Sequence, residues 1–138
     1  MHLASAFADI NWLAVIVATI AAFVLGGLWY SKALFGNTWM LEVGLTEEAA
    51  AQGNMPVTFG GSFVLQLLAA TGLAVFLGPE STWLAGVQMG LWVGVLWVAT
   101  AYGVTYLFEQ RSLRLWMINA GYYVVLYSFM GAIIGAWH

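Results

Sequence analysis

Acid–base catalysis, metal binding and ion transport each need ionisable side chains held close together, and this chain has few. Its acids are Asp9, Glu42, Glu47, Glu48, Glu80 and Glu109, its bases Lys32, Arg111 and Arg114, and its histidines His2 and His138. Glu47 and Glu48 form the one adjacent carboxylate pair. Neighbouring helical residues point about 100° apart around the axis. The pair therefore reads as the first turn of a helix capped by Thr46, where the helix dipole favours acids, rather than as a two-carboxylate centre. His2 and His138 stand at the two ends of the sequence and meet, with Asp9, only if the termini share a side. Chain ends fray and make poorly preorganised ligands, so neither a metal nor a haem is expected. Cysteine is absent, and no Ser/His/Asp set, HExxH motif or glycine-rich phosphate loop can be assembled. No catalytic residue and no cofactor is expected, and the chain reads as a non-enzyme.

What remains is neutral hydrogen-bonding chemistry. Gln66 and Gln88 interrupt long apolar runs, and Tyr102, Thr105, Tyr106, Asn119, Tyr122, Tyr123 and Tyr127 crowd the last third of the chain. Tyr102 and Tyr106 are four apart, as are Tyr123 and Tyr127, so each pair shares a helix face. Gln66, Tyr102, Tyr106, Asn119, Tyr122 and Tyr123 are the candidate ligand-binding residues. Such groups either line a small polar cavity or satisfy one another between helices.

The elements that must position these residues follow from composition. Of 138 residues, 63% are hydrophobic and only 7% charged, with a mean hydropathy of +0.90. A surface so poor in charge cannot face water, so lipid must be the solvent over most of the chain. Three basic residues and a net charge of −3 exclude a phosphate-binding patch and with it nucleic acid. Membrane lipid is the expected surrounding.

Windows of about 20 residues give four spans, Ile10 to Tyr30, Val57 to Gly78, Trp83 to Phe108 and Leu115 to Trp137, none containing Asp, Glu, Lys or Arg. The expectation is one all-α domain over residues 1–138, a polytopic membrane protein of four transmembrane helices. MHLASAFADINW carries no Lys or Arg, so the first run is expected to stay as a span and not to be a cleaved signal peptide. Four spans place the first and third connections on one side, with all three basic residues, and both termini on the other. The positive-inside rule makes the basic side cytoplasmic and the termini extracytoplasmic, in an inner (plasma) membrane.

The long connection, residues 31–56, is too apolar for a free linker, because Leu34, Phe35, Trp39, Leu41, Val43 and Leu45 need cover. A short interfacial helix would supply it. The Thr46 cap, a stop at Gly53-Asn54, and Pro56 in the first turn of the second span complete the segment. Trp12, Trp29, Tyr30, Trp83, Trp116 and Trp137 fall at span ends, where an aromatic belt is expected.

Inside a bilayer, helices associate through close packing at small residues. Gly86, Gly90 and Gly94 form such a stripe in the third span, Ala14, Ala18, Ala22 and Gly26 in the first, and Ser128, Ala132 and Ala136, beside Gly131 and Gly135, in the fourth. Spacing does not say whether a stripe faces another span of the same chain or a second copy. With three stripes among four helices, one face is expected to be left for self-association. Ala18, Ala22, Gly26, Gly86, Gly90 and Gly94 are the candidate packing or interface positions.

The blocks INWLAVIVATIAAFVLGGLWYS, LFGNTWM, GLTEE and SLRLWMINAGYYVVLYSFMGAIIGAW resemble the small bacterial membrane proteins grouped as domain of unknown function 1761. The resemblance covers nearly the whole chain, is weakest from Ala50 to Ala101, and implies four membrane helices with no established activity. It marks Asn11, Gly26, Trp29, Tyr30, Ser31, Phe35, Gly36, Trp39, Asn119, Gly121 and Tyr122 as family-characteristic. It also marks two departures, Lys32 where relatives often carry Pro and Tyr123 where they carry His. LFGNTWM after the first span and LFEQRSLRLWM after the third echo one another, as a duplicated two-helix hairpin would.

With no group to drive a reaction, the chain is expected to act by assembly, as a homo-oligomer or as an accessory subunit of a membrane complex. The alternative is a small-solute carrier or channel lined by the Tyr, Asn and Gln residues.

Overall fold

The computed structural model describes residues 3–137. Four helices are long and apolar enough to cross a membrane, and among the described residues there is no strand. Each long helix begins where the sequence supplies a cap. Asn11 caps α2 (Trp12–Trp29), Asn54 caps α5 (Met55–Leu77), Thr82 caps α6 (Trp83–Val93) and Ser112 caps α8 (Leu113–Ala136). Each cap oxygen accepts the backbone N–H three residues on, at 3.0 to 3.2 Å, satisfying one of the first-turn donors that a helix leaves free.

Short helices fill the ends: α1 (Leu3–Ala8), α3 (Gly36–Val43) and α4 (Glu47–Ala51). The apolar connection does fold as α3, entered through tight turns in which the Phe35 and Gly36 N–H groups bond the Trp29 and Ser31 carbonyls at 3.0 and 2.9 Å. Gly36 is required there, since a Cβ would lie 2.3 Å from the Tyr30 carbonyl oxygen. Thr46 caps α4, and Pro56 occupies the first turn of α5. Asn54 opens α5 rather than closing α4, which already ends at the Gln52 cap.

The third span departs from a plain helix. α6 passes into a π-helical turn, Gly94–Ala99, before α7 (Thr100–Glu109) continues it. α7 stops at Gln110, a non-glycine residue in the left-handed region (φ 58°), and the next N–H, from Arg111, closes on the Tyr106 carbonyl at 2.9 Å.

Side-chain links at the two ends fix the threading. Asn11 donates to the Trp137 carbonyl at 3.4 Å, and Ser112 donates to Glu42 at 2.9 Å. The first and third connections therefore meet at one end of the bundle, away from the ends of the described chain.

α8 is the hub. On one side Leu126, Met130 and Ile134 pack into a core with Val15, Ala18 and Ala22 of α2 and Ala70, Leu73 and Ala74 of α5. On the other side it meets α6 backbone to backbone. A Cβ on Gly86 would sit 1.8 Å from the Gly131 carbonyl oxygen, one on Gly90 2.0 Å from that of Tyr127, and one on Gly94 2.7 Å from the Val124 Cα. The glycine stripe of the third span is thus occupied by the fourth span of the same chain. Close approach is what small residues permit where lipid gives apolar burial no advantage.

Candidate functional site

The polar residues gather on α8 because Asn119, Tyr122, Tyr123 and Tyr127 lie within three helical turns, and the neighbouring spans bring their own to meet them. Tyr30, at the end of α2, donates its hydroxyl to Asn119 Oδ1 at 2.7 Å, and Asn119 Nδ2 donates to the Tyr106 hydroxyl at 2.7 Å. One amide thereby joins the first, fourth and third spans.

A second bond set lies deeper. The buried Tyr122 hydroxyl donates to the Ala22 carbonyl at 3.3 Å and accepts from Gln66 Nε2 at 3.3 Å. Gly26 makes room for it, since a Cβ there would stand 2.9 Å from that oxygen. Gln66 Oε1 is buried with no hydrogen-bond partner. The phenol has one hydrogen, already directed at Ala22, so the amide carbonyl is left without a donor.

The rings form a continuous cluster. Tyr122 stands edge-on to Tyr30 at 5.2 Å and to Tyr123 at 5.0 Å. Tyr123 stacks on Tyr102 at 5.5 Å and on Tyr127 at 6.0 Å, and Tyr102 meets Tyr106 at 5.5 Å. The six candidate residues therefore fall into one cluster, with Gln66 attached through Tyr122. Gln88 lies apart from it, exposed on α6.

Spacing alone misses Tyr30, Trp29 and Trp116. The WYS block and the INAGY block carry the signal for the first two, since Tyr30 bonds Asn119, and Trp29 donates its indole N–H to the Ile118 carbonyl at 3.0 Å. Trp116 donates to the Ala99 carbonyl at 2.9 Å, at the end of the π turn. These three are turned inward by a buried carbonyl or amide, whereas Trp12, Trp83 and Trp137 stay exposed at their span ends as belt residues do.

The carboxylate pair resolves as a capped helix start. Thr46 accepts the Ala49 N–H, and Glu47 forms an exposed ion pair with Lys32. The Lys32 hydrogen bond and charge hold the Glu47 carboxyl below its usual range, and Glu47 in turn raises the Lys32 ammonium. Among the described residues no group of three His, Cys, Asp or Glu could hold a metal ion. The proposed meeting of His2 with His138 lies outside the described residues.

Four apolar spans around an uncharged hydrogen-bonded core define a multi-pass helical membrane protein. Residues 13–135 match the model of the family described as protein of unknown function DUF1761, and the chain belongs to that family. No curated protein and no solved structure matches the chain.

Proposed function

We propose that the protein acts by assembly, as a homo-oligomer built on the outer face of its third span, with no catalysis of its own. The observation that carries this reading is Gln88. It is exposed on α6 in the same stripe as the exposed Leu84, Trp92 and Val95, on a face otherwise apolar. An amide in such a face gains when another amide completes its hydrogen bonds. Carrying both donor and acceptor, it is its own complement across a two-fold axis. The glycine stripes do not support this interface, since the α6 stripe is covered from within the chain.

Energy transfer between donor- and acceptor-labelled copies in liposomes tests it. Wild type and Gln88→Asn should associate, and Gln88→Leu should lose association by roughly tenfold, as the upper end of a membrane hydrogen bond allows. Undiminished transfer in Gln88→Leu would remove this face. Absence of transfer in wild type would remove self-assembly and leave the accessory-subunit form.

One observation favours the carrier reading as the alternative: the unpartnered Gln66 carbonyl beside Tyr122 offers an acceptor to a passing hydroxylated solute. Glycerol-driven swelling of proteoliposomes, altered by Gln66→Leu or Tyr106→Phe, would support it, and swelling unaltered by either would remove these residues from a path.

A further inference from the structure

A large apolar recess with no tyrosine in its lining lies at the end of the bundle that carries the basic residues. It is an open groove of about 750 Å³ between the Trp29 and Phe35 rings on one side and the first three turns of α8 on the other. Arg114, Met117, Ile118 and Gly121 line it at i, i+3, i+4 and i+7, so they form one stripe along the helix. The groove therefore starts at a guanidinium and descends about 10 Å toward the bundle centre, at 1.5 Å per residue. Its aromatic wall is built in advance: the Trp29 indole is held to the Ile118 carbonyl at 3.0 Å, and its ring packs on Phe35 at 4.9 Å.

The cation at the mouth is underused. Lys32 is paired with Glu47, and Arg111 with Glu109 at 3.1 Å. Arg114 reaches Glu42 only at 4.0 Å with its side chain 72% exposed, while the other Glu42 oxygen accepts from Ser112. Most of the five guanidinium N–H donors are left for an anion, in the fork geometry that suits a phosphate.

A cation above an apolar throat at the membrane surface is complementary to one chemistry, a phosphate carrying a hydrocarbon chain. We propose that this groove binds an anionic phospholipid, its phosphate on Arg114 and one acyl chain running past Met117 to Gly121. A headgroup bearing an ammonium would set its own cation against the guanidinium, so the site selects for net negative charge. This inference is independent of the assembly reading, which uses α6.

The full chain in detergent, titrated with dioleoyl phosphatidylglycerol or dioleoyl phosphatidylcholine and observed by native mass spectrometry, tests the assignment. Phosphatidylglycerol should bind more tightly. Arg114→Gln should weaken it about fivefold, the factor one basic residue contributes at an anionic lipid surface. Met117→Trp, which fills the groove, should weaken both lipids, and Leu107→Trp, on α7 away from the groove, should change neither. All three replaced side chains are exposed, so each variant should melt as wild type does. Phosphatidylglycerol binding equal in wild type and Arg114→Gln, or untouched by Met117→Trp, would overturn the proposal. Inorganic phosphate binding that depends on Arg114 and ignores Met117→Trp would assign the site to free phosphate and overturn it as well.

Discussion

The two seams of α8 are held by opposite means. Against α6 it presents Gly131 and the Tyr127 carbonyl to Gly86 and Gly90, so that backbone lies on backbone. Against α2, beside the apolar core of Leu126, Met130 and Ile134 on Val15, Ala18 and Ala22, it presents Asn119 and Tyr122, which reach Tyr30 and the Ala22 carbonyl through hydrogen bonds. The first seam depends on shape and tolerates no added atom. The second adds donors and acceptors to side-chain packing, and each lost bond costs little because membrane hydrogen bonds average well under 2 kcal/mol. A bundle can therefore take its rigidity from one seam while the other carries the groups able to meet a ligand.

The largest expected effect comes from breaking the shape seam. Gly90→Leu would drive a side chain into the Tyr127 carbonyl, and such overpacking against fixed backbone should exceed about 3 kcal/mol. Loss of the cooperative thermal transition in detergent is the expected result, and a wild-type melt would mean that the two helices can separate freely.

Breaking the hydrogen-bonded seam should cost less. Asn119→Leu strands the Tyr30 and Tyr106 hydroxyls and should destabilise by about 1 to 2 kcal/mol, measured by reversible unfolding in mixed micelles. A double-mutant cycle with Tyr30→Phe would apportion the loss, and additivity in that cycle would deny the bond any coupling.

The smallest effect belongs to the Lys32–Glu47 pair, outside both seams. Glu47 is depressed in the folded protein, so its contribution is present above the ordinary carboxylate range and fades as pH falls through its lowered value. Lys32 is raised, so its contribution is present below the ordinary lysine range and is lost as pH rises through its raised value. Both side chains are largely exposed, so salt should flatten the dependence. A Glu47→Gln variant that keeps the acid-side fall in stability would assign that fall elsewhere.

Much of the fold is legible in the sequence because length and charge depletion alone delimit a span, whereas the caps at Asn11, Asn54, Thr82 and Ser112 emerge only from the structure, and Asn54 reads in the sequence as a helix stop. The hub role of α8 is not legible. In lipid the outer face of a helix is as apolar as its inner face, so hydropathy loses the periodicity that marks a buried side in water. The π turn at Gly94–Ala99 is hidden for a similar reason, as nothing in GVLWVA distinguishes it from ordinary helix. At the candidate site, the four-residue spacing of Tyr102 with Tyr106 and Tyr123 with Tyr127 foretells shared faces. The pairing of Tyr30 with Asn119 spans 89 residues and needs the fold. Trp29 and Trp12 illustrate the limit: both sit at span ends, yet only Trp29 finds a carbonyl inside the bundle to turn toward.

The seam between α6 and α8 is tested most directly by two matched substitutions. Gly86 faces the Gly131 carbonyl and Gly60 faces open space, so thermal unfolding of Gly86→Ala and Gly60→Ala in detergent compares the same added methyl in the two settings. Gly86→Ala should be markedly destabilised at every protein concentration and Gly60→Ala should melt at or slightly above wild type. A Gly86→Ala chain as stable as Gly60→Ala, or one weakened only at high protein concentration, would contradict a seam closed within a single chain.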